Sequence, residues 1–128
     1  MHWLKEFLKF CRPVSRLTGS EWADAKRFIS LGTTAEPGPW RTYRTPYLQE
    51  PMDAATDKRT EKIVLMFASQ VGKSELLLNV LGYYADQEPS PQLMLQPTVE
   101  MAQAFSKERI APMFRDSPGL AGKLIEGK

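Results

Sequence analysis

Gly72, Lys73 and Ser74 are consecutive residues that stand between a short apolar run and a stretch of strong helix formers. The run is Lys62-Ile63-Val64-Leu65-Met66-Phe67, and the stretch begins Glu75-Leu76-Leu77-Leu78-Asn79-Val80-Leu81. This order suits a pair of β and γ phosphates, whose several negative charges must be wrapped by donors. The N–H groups of a tight turn supply them, and the following helix N-terminus adds its dipole. Gly72 lets the backbone pass close to the phosphates with no Cβ in the way. Lys73 reaches the β and γ oxygens as a mobile point charge, and the Ser74 hydroxyl is the candidate ligand for Mg²⁺. Ser69, Gln70 and Val71 complete the candidate loop. The pattern G-x-x-x-x-G-K-[ST] asks for glycine where this chain has Phe67. The competing reading is an ordinary strand–turn–helix in which Gly-Lys-Ser has arisen by chance.

The elements that must position this loop follow from periodicity. A continuous apolar run at residues 62–67 predicts a strand buried on both faces, and Lys73 onward predicts a helix. A Pro- and Ser-containing loop from Asp86 to Pro91 leads to Gln92-Leu93-Met94-Leu95-Gln96, a second predicted strand. Strand, helix and strand make a parallel βαβ unit with a right-handed crossover. Thr98 is placed to cap a further helix that buries Met101, Ala102, Phe105 and Ile110, with Pro112 interrupting it. Residues 120–128 carry no stop signal and no evident packing partner.

Ahead of the loop, Trp3, Leu4, Phe7, Leu8 and Cys11 fall on one face of a predicted amphipathic helix, within a first segment at 1–17. It suits a membrane surface, a partner or the domain itself. A single basic stretch this short anchors weakly to lipid, which favours the other two. Residues 18–60 form a lead-in: a helix from Glu21 to Leu31 capped by Ser20, an irregular stretch to Pro46, then a short Pro-initiated helix disturbed at Pro51. Trp40, Tyr43 and Tyr47 alternate there with Arg41 and Arg44. Such a mixture stacks on bases or holds phosphates, or else lays its aromatics over the core. Residues 61–128 form the phosphate-loop core.

The bulk properties narrow the chemistry. The 128 residues suffice for one modest core, and a net charge of +2 gives no strong field for a polyanion. Cys11 and His2 are the only residues of their types, which excludes an internal disulfide, cysteine metal sites and histidine-dependent triads. The lone cysteine fits a reducing cytoplasm. No apolar run is long enough to cross a bilayer.

Taken together in order, these residues resemble the N-terminal part of lambda-type bacteriophage terminase large subunits. The likeness is carried by Trp22-Ala23-Asp24, Arg27, Ser30, Gly38-Pro39-Trp40-Arg41-Thr42, Pro46-Tyr47 and Pro51-Met52-Asp53-Ala54. It continues through Ser69-Gln70-Val71-Gly72-Lys73-Ser74-Glu75, Asn79, Gly82-Tyr83, Gln96-Pro97-Thr98, Ala102, Phe105-Ser106, Arg109-Ile110 and Pro112-Met113. Terminases are similar in lacking the first loop glycine, which answers the objection from Phe67. The resemblance implies an α/β fold: a partial P-loop NTPase core of the helicase and terminase kind, with a helical segment before it. It implies ATP and Mg²⁺ as cofactors, with Gly72, Lys73 and Ser74 on the phosphates and metal, and Gln70 in nucleotide or coupling contacts. Tyr47 matches the aromatic position associated with adenine; its alternative is a core tyrosine with a satisfied hydroxyl. Gln96 and Thr98 fall where related ATPases contact nucleic acid or relay movement.

The implied activity is an ATP-driven motor that packages double-stranded DNA into a procapsid, with a nuclease domain that cuts concatemers. The implied partners are that DNA, the small terminase subunit and the portal, in the host bacterial cytoplasm, with no membrane and with oligomers only in the full-length protein. The chain departs from the family in size: no acidic strand end, catalytic glutamate, coupling motif or nuclease domain is present. The expectation is a truncated piece with no catalytic residues of its own, which binds ATP weakly and neither hydrolyses it nor cuts DNA. Two other classes remain: a small P-loop kinase, which would need an acceptor site and a lid with several arginines after the second strand, where only Arg109 and Arg115 are present, and a non-catalytic binding module.

Overall fold

Thr18 and Glu21 are spaced as a capping box, and they start helix α1, Gly19–Lys26. The Thr18 hydroxyl accepts from the Glu21 N–H, while the Glu21 carboxylate accepts from the Thr18 N–H at 2.8 Å. The cap therefore lies two residues before Ser20, whose own N–H donates to Asp53 Oδ1 at 2.8 Å. The computed structural model describes residues 3–4, 7–8, 11, 16–32 and 36–124. Trp3, Leu4, Phe7 and Leu8 are helical and exposed, and they take no part in the core. Cys11 is an exposed turn residue whose N–H donates to the Phe7 carbonyl at 3.2 Å, and the other residues of the predicted N-terminal helix lie outside the described ones.

Helix α1 ends earlier than the predicted Leu31, because Arg27 turns into extended backbone and Phe28–Ile29 forms strand β1. Its antiparallel partner is β2, Gly38–Pro39, with Phe28 opposite Pro39 and Ile29 opposite Gly38. The stretch expected to be irregular thus supplies half of the only sheet among the described residues. Two 3₁₀ turns follow, Thr42–Arg44 and Pro46–Leu48, and lead into α2, Gln49–Thr56. Pro51 does not disturb α2. It occupies the first turn, where the missing N–H has no helical partner to lose.

Helix α3, Lys73–Asp86, is the longest element and lies under α1 and α2. Its buried residues Leu76, Leu78 and Tyr83 join Trp22, Leu48, Met52, Met113 and Leu120 in one core. Gly82 is where α1 comes closest: a Cβ there would lie 2.4 Å from the Trp22 ring, so the indole fits only against a glycine. Helices α4, Val99–Phe105, and α5, Ala111–Asp116, are joined by a wider π turn over Ser106–Ile110. Thr98 caps α4 as expected, accepting from the Met101 N–H at 3.2 Å. Pro112 does not break the path, since the missing donor falls where the ladder has already shifted register. Phe105 and Ile110 pack on the core, whereas Met101 and Ala102 are exposed.

The two predicted strands do not form here. Residues 60–68 and 89–96 carry no strand, and no backbone hydrogen bond joins them. A strand exists only through a neighbour's ladder, and among the described residues these segments have none. Val64, Met66, Leu93 and Leu95 are accordingly exposed. Leu120 corrects the expectation for the last residues: it is fully buried against Gly82 and α3. Among the described residues no helix is long and apolar enough to cross a membrane.

Asp86 ties this arrangement together. Its carboxylate accepts from Trp22 Nε1 at 2.9 Å, Lys26 Nζ at 2.7 Å and Lys123 Nζ at 2.5 Å. Burial works against its charge, but these donors outweigh it and hold the carboxyl well below the usual carboxylate range. A depressed carboxyl stabilises the fold above the unfolded pKa, about 3.9, and that contribution is lost as pH falls. Asp86→Asn should therefore melt below wild type near neutral pH and show a flatter decline as pH drops below about 4. Parallel wild-type and mutant melting curves across that range would contradict this role.

Candidate nucleotide-binding site

Backbone conformation shapes the loop between residue 68 and α3. Gly72 sits in the left-handed region at φ 91°, as N-cap of α3, and a Cβ on it would lie 3.0 Å from Leu48 Cδ1. Gln70 is also left-handed, at φ 57°, the only such non-glycine residue among those described. Side chains rarely adopt this conformation without cost, and such strain concentrates at functional sites. The two left-handed residues curl the chain in front of the α3 N-terminus.

Lys73 folds back over this curl. Its ammonium donates to the Phe67 carbonyl at 3.1 Å and to the Ala68 carbonyl at 2.5 Å. Both are neutral acceptors, and an ammonium binds an anionic oxygen more strongly. The lysine is thus parked within the loop on contacts that a phosphate can replace. Ser74 is exposed in the first turn of α3, on the same side of the sequence as the free helix N–H groups. The chemistry of Gly72, Lys73 and Ser74 fits a phosphate chain: the first would allow a close approach, the second would supply charge, and the third would offer a hydroxyl to a divalent ion. No cluster of acidic, histidine or cysteine residues among those described holds a metal by itself. A Mg²⁺ here would arrive with the phosphates.

Tyr47 lies directly against the loop. Its hydroxyl donates to the Val71 carbonyl at 3.1 Å, and its ring meets Phe67 edge-on with centroids 6.3 Å apart. Half of the residue, 52%, is exposed, so it is no core tyrosine although its hydroxyl is satisfied. Phe67, which occupies the place of the usual loop glycine, has a use here: it props the Tyr47 ring. Trp40, by contrast, is buried with its Nε1 donating to Thr42 Oγ1 at 3.0 Å, so it lies over the core rather than on a ligand. A cavity of about 450 Å³ opens between Gln70–Gly72 and the segment carrying Tyr43, Arg44 and Tyr47. Ser69 is exposed at the start of the curl; Gln96 and Thr98 lie on the approach to α4 and do not line this cavity.

The residues that sequence reasoning left without a role are Arg27 and Glu75. Arg27 is 4% exposed; it donates to Glu75 Oε2 at 3.0 Å and to the Phe28 carbonyl. Burial lowers its pKa while the Glu75 carboxylate raises it again, with burial the larger influence. Arg109, on the π turn, approaches Glu75 Oε1 at 3.5 Å from the other side. Glu75 is the residue after Ser74, so this ion pair fixes the first turn of α3 to the end of α1. Sequence alone cannot pair an arginine with a glutamate 48 positions away. Losing one partner of a buried pair leaves the other charge stranded, at a cost of about 3 kcal/mol or more. Glu75→Ala should lower unfolding stability by about that amount, whereas Arg109→Ala, removing a longer and partly exposed contact, should cost under about 1 kcal/mol. Equal losses in denaturant titrations of the two variants would show that Arg27 is not the partner that matters.

Comparison with known proteins gives the family. The family model "Phage terminase large subunit gpA, ATPase domain" matches residues 34–128. The chain is 29% identical over 103 residues to the large terminase subunit of Escherichia phage lambda, an alignment that covers 80% of this chain and 16% of that protein. It is 27% identical over 104 residues to the large terminase subunit of Enterobacteria phage P21, covering 81% of this chain and 16% of the relative. The chain thus spans about a sixth of the length of these curated relatives. No solved structure matches it significantly. With the matched region covering most of its length and including the loop, the chain belongs to the family of phage terminase large subunits, in its ATPase domain.

Proposed function

We propose that this chain binds ATP with Mg²⁺ through residues 69–74, with Tyr47 against the adenine, as part of the ATPase core of a DNA-packaging terminase. The fold we infer for residues 61–128 is a partial P-loop NTPase core, behind an adenine-side lead-in at 18–60 and a partner-binding segment at 1–17. The observation that carries the reading is Lys73: a cation held on two neutral carbonyls, beside a left-handed glycine, at the start of a 14-residue helix. On binding, Lys73 gives up Phe67 and Ala68 for phosphate oxygens. The N–H groups of the loop and of the first turn of α3 turn onto the same charge, and Ser74 offers its hydroxyl to the metal. Bound ATP supplies the phosphoryl group whose transfer would drive movement.

The remaining role of the family follows as part of the same proposal. The longer protein moves double-stranded DNA into a procapsid, cuts it with a nuclease domain, and works with a small subunit and a portal in the cytoplasm of a bacterial host. Within the described residues, Glu75 is held by Arg27 and Arg109, and Asp86 by Lys26 and Lys123 at the far end of α3. Neither is at liberty to orient an attacking water, so this chain should bind ATP without turning it over. The kinase alternative fares less well, since Arg109 and Arg115 are engaged by Glu75 and Asp116.

Titration with a fluorescent ATP analogue tests the reading. Lys73→Ala should weaken binding by roughly tenfold or more, since it removes a charge-assisted contact. Tyr47→Ala should weaken it by a similar factor through lost stacking, while Tyr47→Phe keeps the ring and should lose only a few-fold through its Val71 contact. Equal affinity of wild type and Lys73→Ala would remove the phosphate-loop reading altogether.

A further inference from the structure

Tyr47 is held in one orientation by the Val71 carbonyl and the Phe67 edge. It therefore offers a planar ligand one fixed face. A purine has two faces, and a base stacked on one side only leaves the other to water. The same 450 Å³ cavity is bounded by a second tyrosine, Tyr43. Two successive 3₁₀ turns, one at Thr42–Arg44 and one at Pro46–Leu48, bring Tyr43 and Tyr47 to one opening from four residues apart. Tyr43 is 74% exposed; its hydroxyl end interacts with the Arg44 guanidinium, while among the described residues its ring packs against no other ring, unlike Tyr47, Tyr83 and Tyr84. A large aromatic left open on the wall of a cavity beside a phosphate loop has area to bury only when something flat enters.

We infer that Tyr43 is a base-stacking residue: it closes over the outer face of the nucleotide base, with Tyr47 beneath, while the loop holds the phosphates. The inference rests on the ATP reading of the loop. The backbone under Tyr43 is anchored for this task. The Thr42 N–H donates to Asp24 Oδ1 at 2.6 Å, and Trp40 next to it is buried. Arg44 forms an exposed ion pair with Glu36 at the same rim, so the side of the opening away from the loop is polar. The base enters between two rings, and its ribose and phosphates run toward Gly72.

The test compares ATP with inorganic tripolyphosphate, which carries the same phosphate chain and no base. Affinities of both, with Mg²⁺, are measured by calorimetry on wild type, Tyr43→Ala, Tyr43→Phe and Lys73→Ala. Tyr43→Ala should weaken ATP by roughly tenfold and leave tripolyphosphate within about twofold, and Tyr43→Phe should bind both as wild type does. Lys73→Ala should weaken both ligands. If Tyr43→Ala binds ATP normally while Lys73→Ala does not, the Tyr43 inference is wrong and the ATP reading stands. A loss of both ligands in Tyr43→Ala would make it a support of the loop and would also overturn the inference. Wild type with no affinity for ATP overturns both.

Discussion

Helix α3 is held along its length by the last residues of α1, and the rest of the described structure depends on that grip. Lys26 and Arg27 are neighbours in sequence, yet one reaches Asp86 and the other Glu75. These carboxylates are eleven residues apart, or about 16 Å along the helix. Between them the Trp22 indole presses on Gly82, the one place where a side chain on α3 would push α1 away. Two ends and a midpoint define a rigid body, and the loop is attached to one end of it. Glu75 immediately follows Ser74, so the pair with Arg27 sets where the N–H groups of the first turn point. The second grip, at Asp86, draws in Lys123 and with it the segment carrying Leu120.

This explains how a chain with so little sheet keeps its loop in shape. The parallel strands that usually brace such a loop are absent from the described structure, and residues 60–68 reach it without ladder bonds. Bracing comes instead from side chains on the opposite bank. Tyr47 holds the Val71 carbonyl, Leu48 fills the space a Cβ on Gly72 would need, and Lys73 closes the curl from within. The same contacts create the cavity, because the 3₁₀ turns that deliver Tyr47 and Leu48 also deliver Tyr43. Loop support and cavity wall are built from one short segment.

The loop and α3 were legible in the sequence because their signals are local: a Gly-Lys-Ser triplet, a run of helix formers, and Thr98 three residues ahead of an N–H it caps. The Thr18 capping box was equally local but was passed over for Ser20, a good cap whose N–H is taken by Asp53. Strands were the weakest reading. An apolar run states that a segment wants burial, and only a partner in space can make it a strand. Arg27, Glu75 and Leu120 could not be read at all, since their meaning lies in contacts tens of residues distant. Tyr43 looked interchangeable with Trp40, both aromatics beside arginines; burial of one and exposure of the other separates them.

Everything proposed for the site turns on whether the curl at Gln70–Ser74 takes up phosphate in place of its own lysine contacts. The most direct measurement is NMR of the isotopically labelled chain during titration with ATP and Mg²⁺. Amide shifts should concentrate at Gln70–Ser74, with accompanying changes at the Tyr47 ring and the Lys73 ammonium as the latter leaves the Phe67 and Ala68 carbonyls. Shifts absent from the loop, or gathered elsewhere on the molecule while Lys73 stays unchanged, would contradict phosphate uptake there.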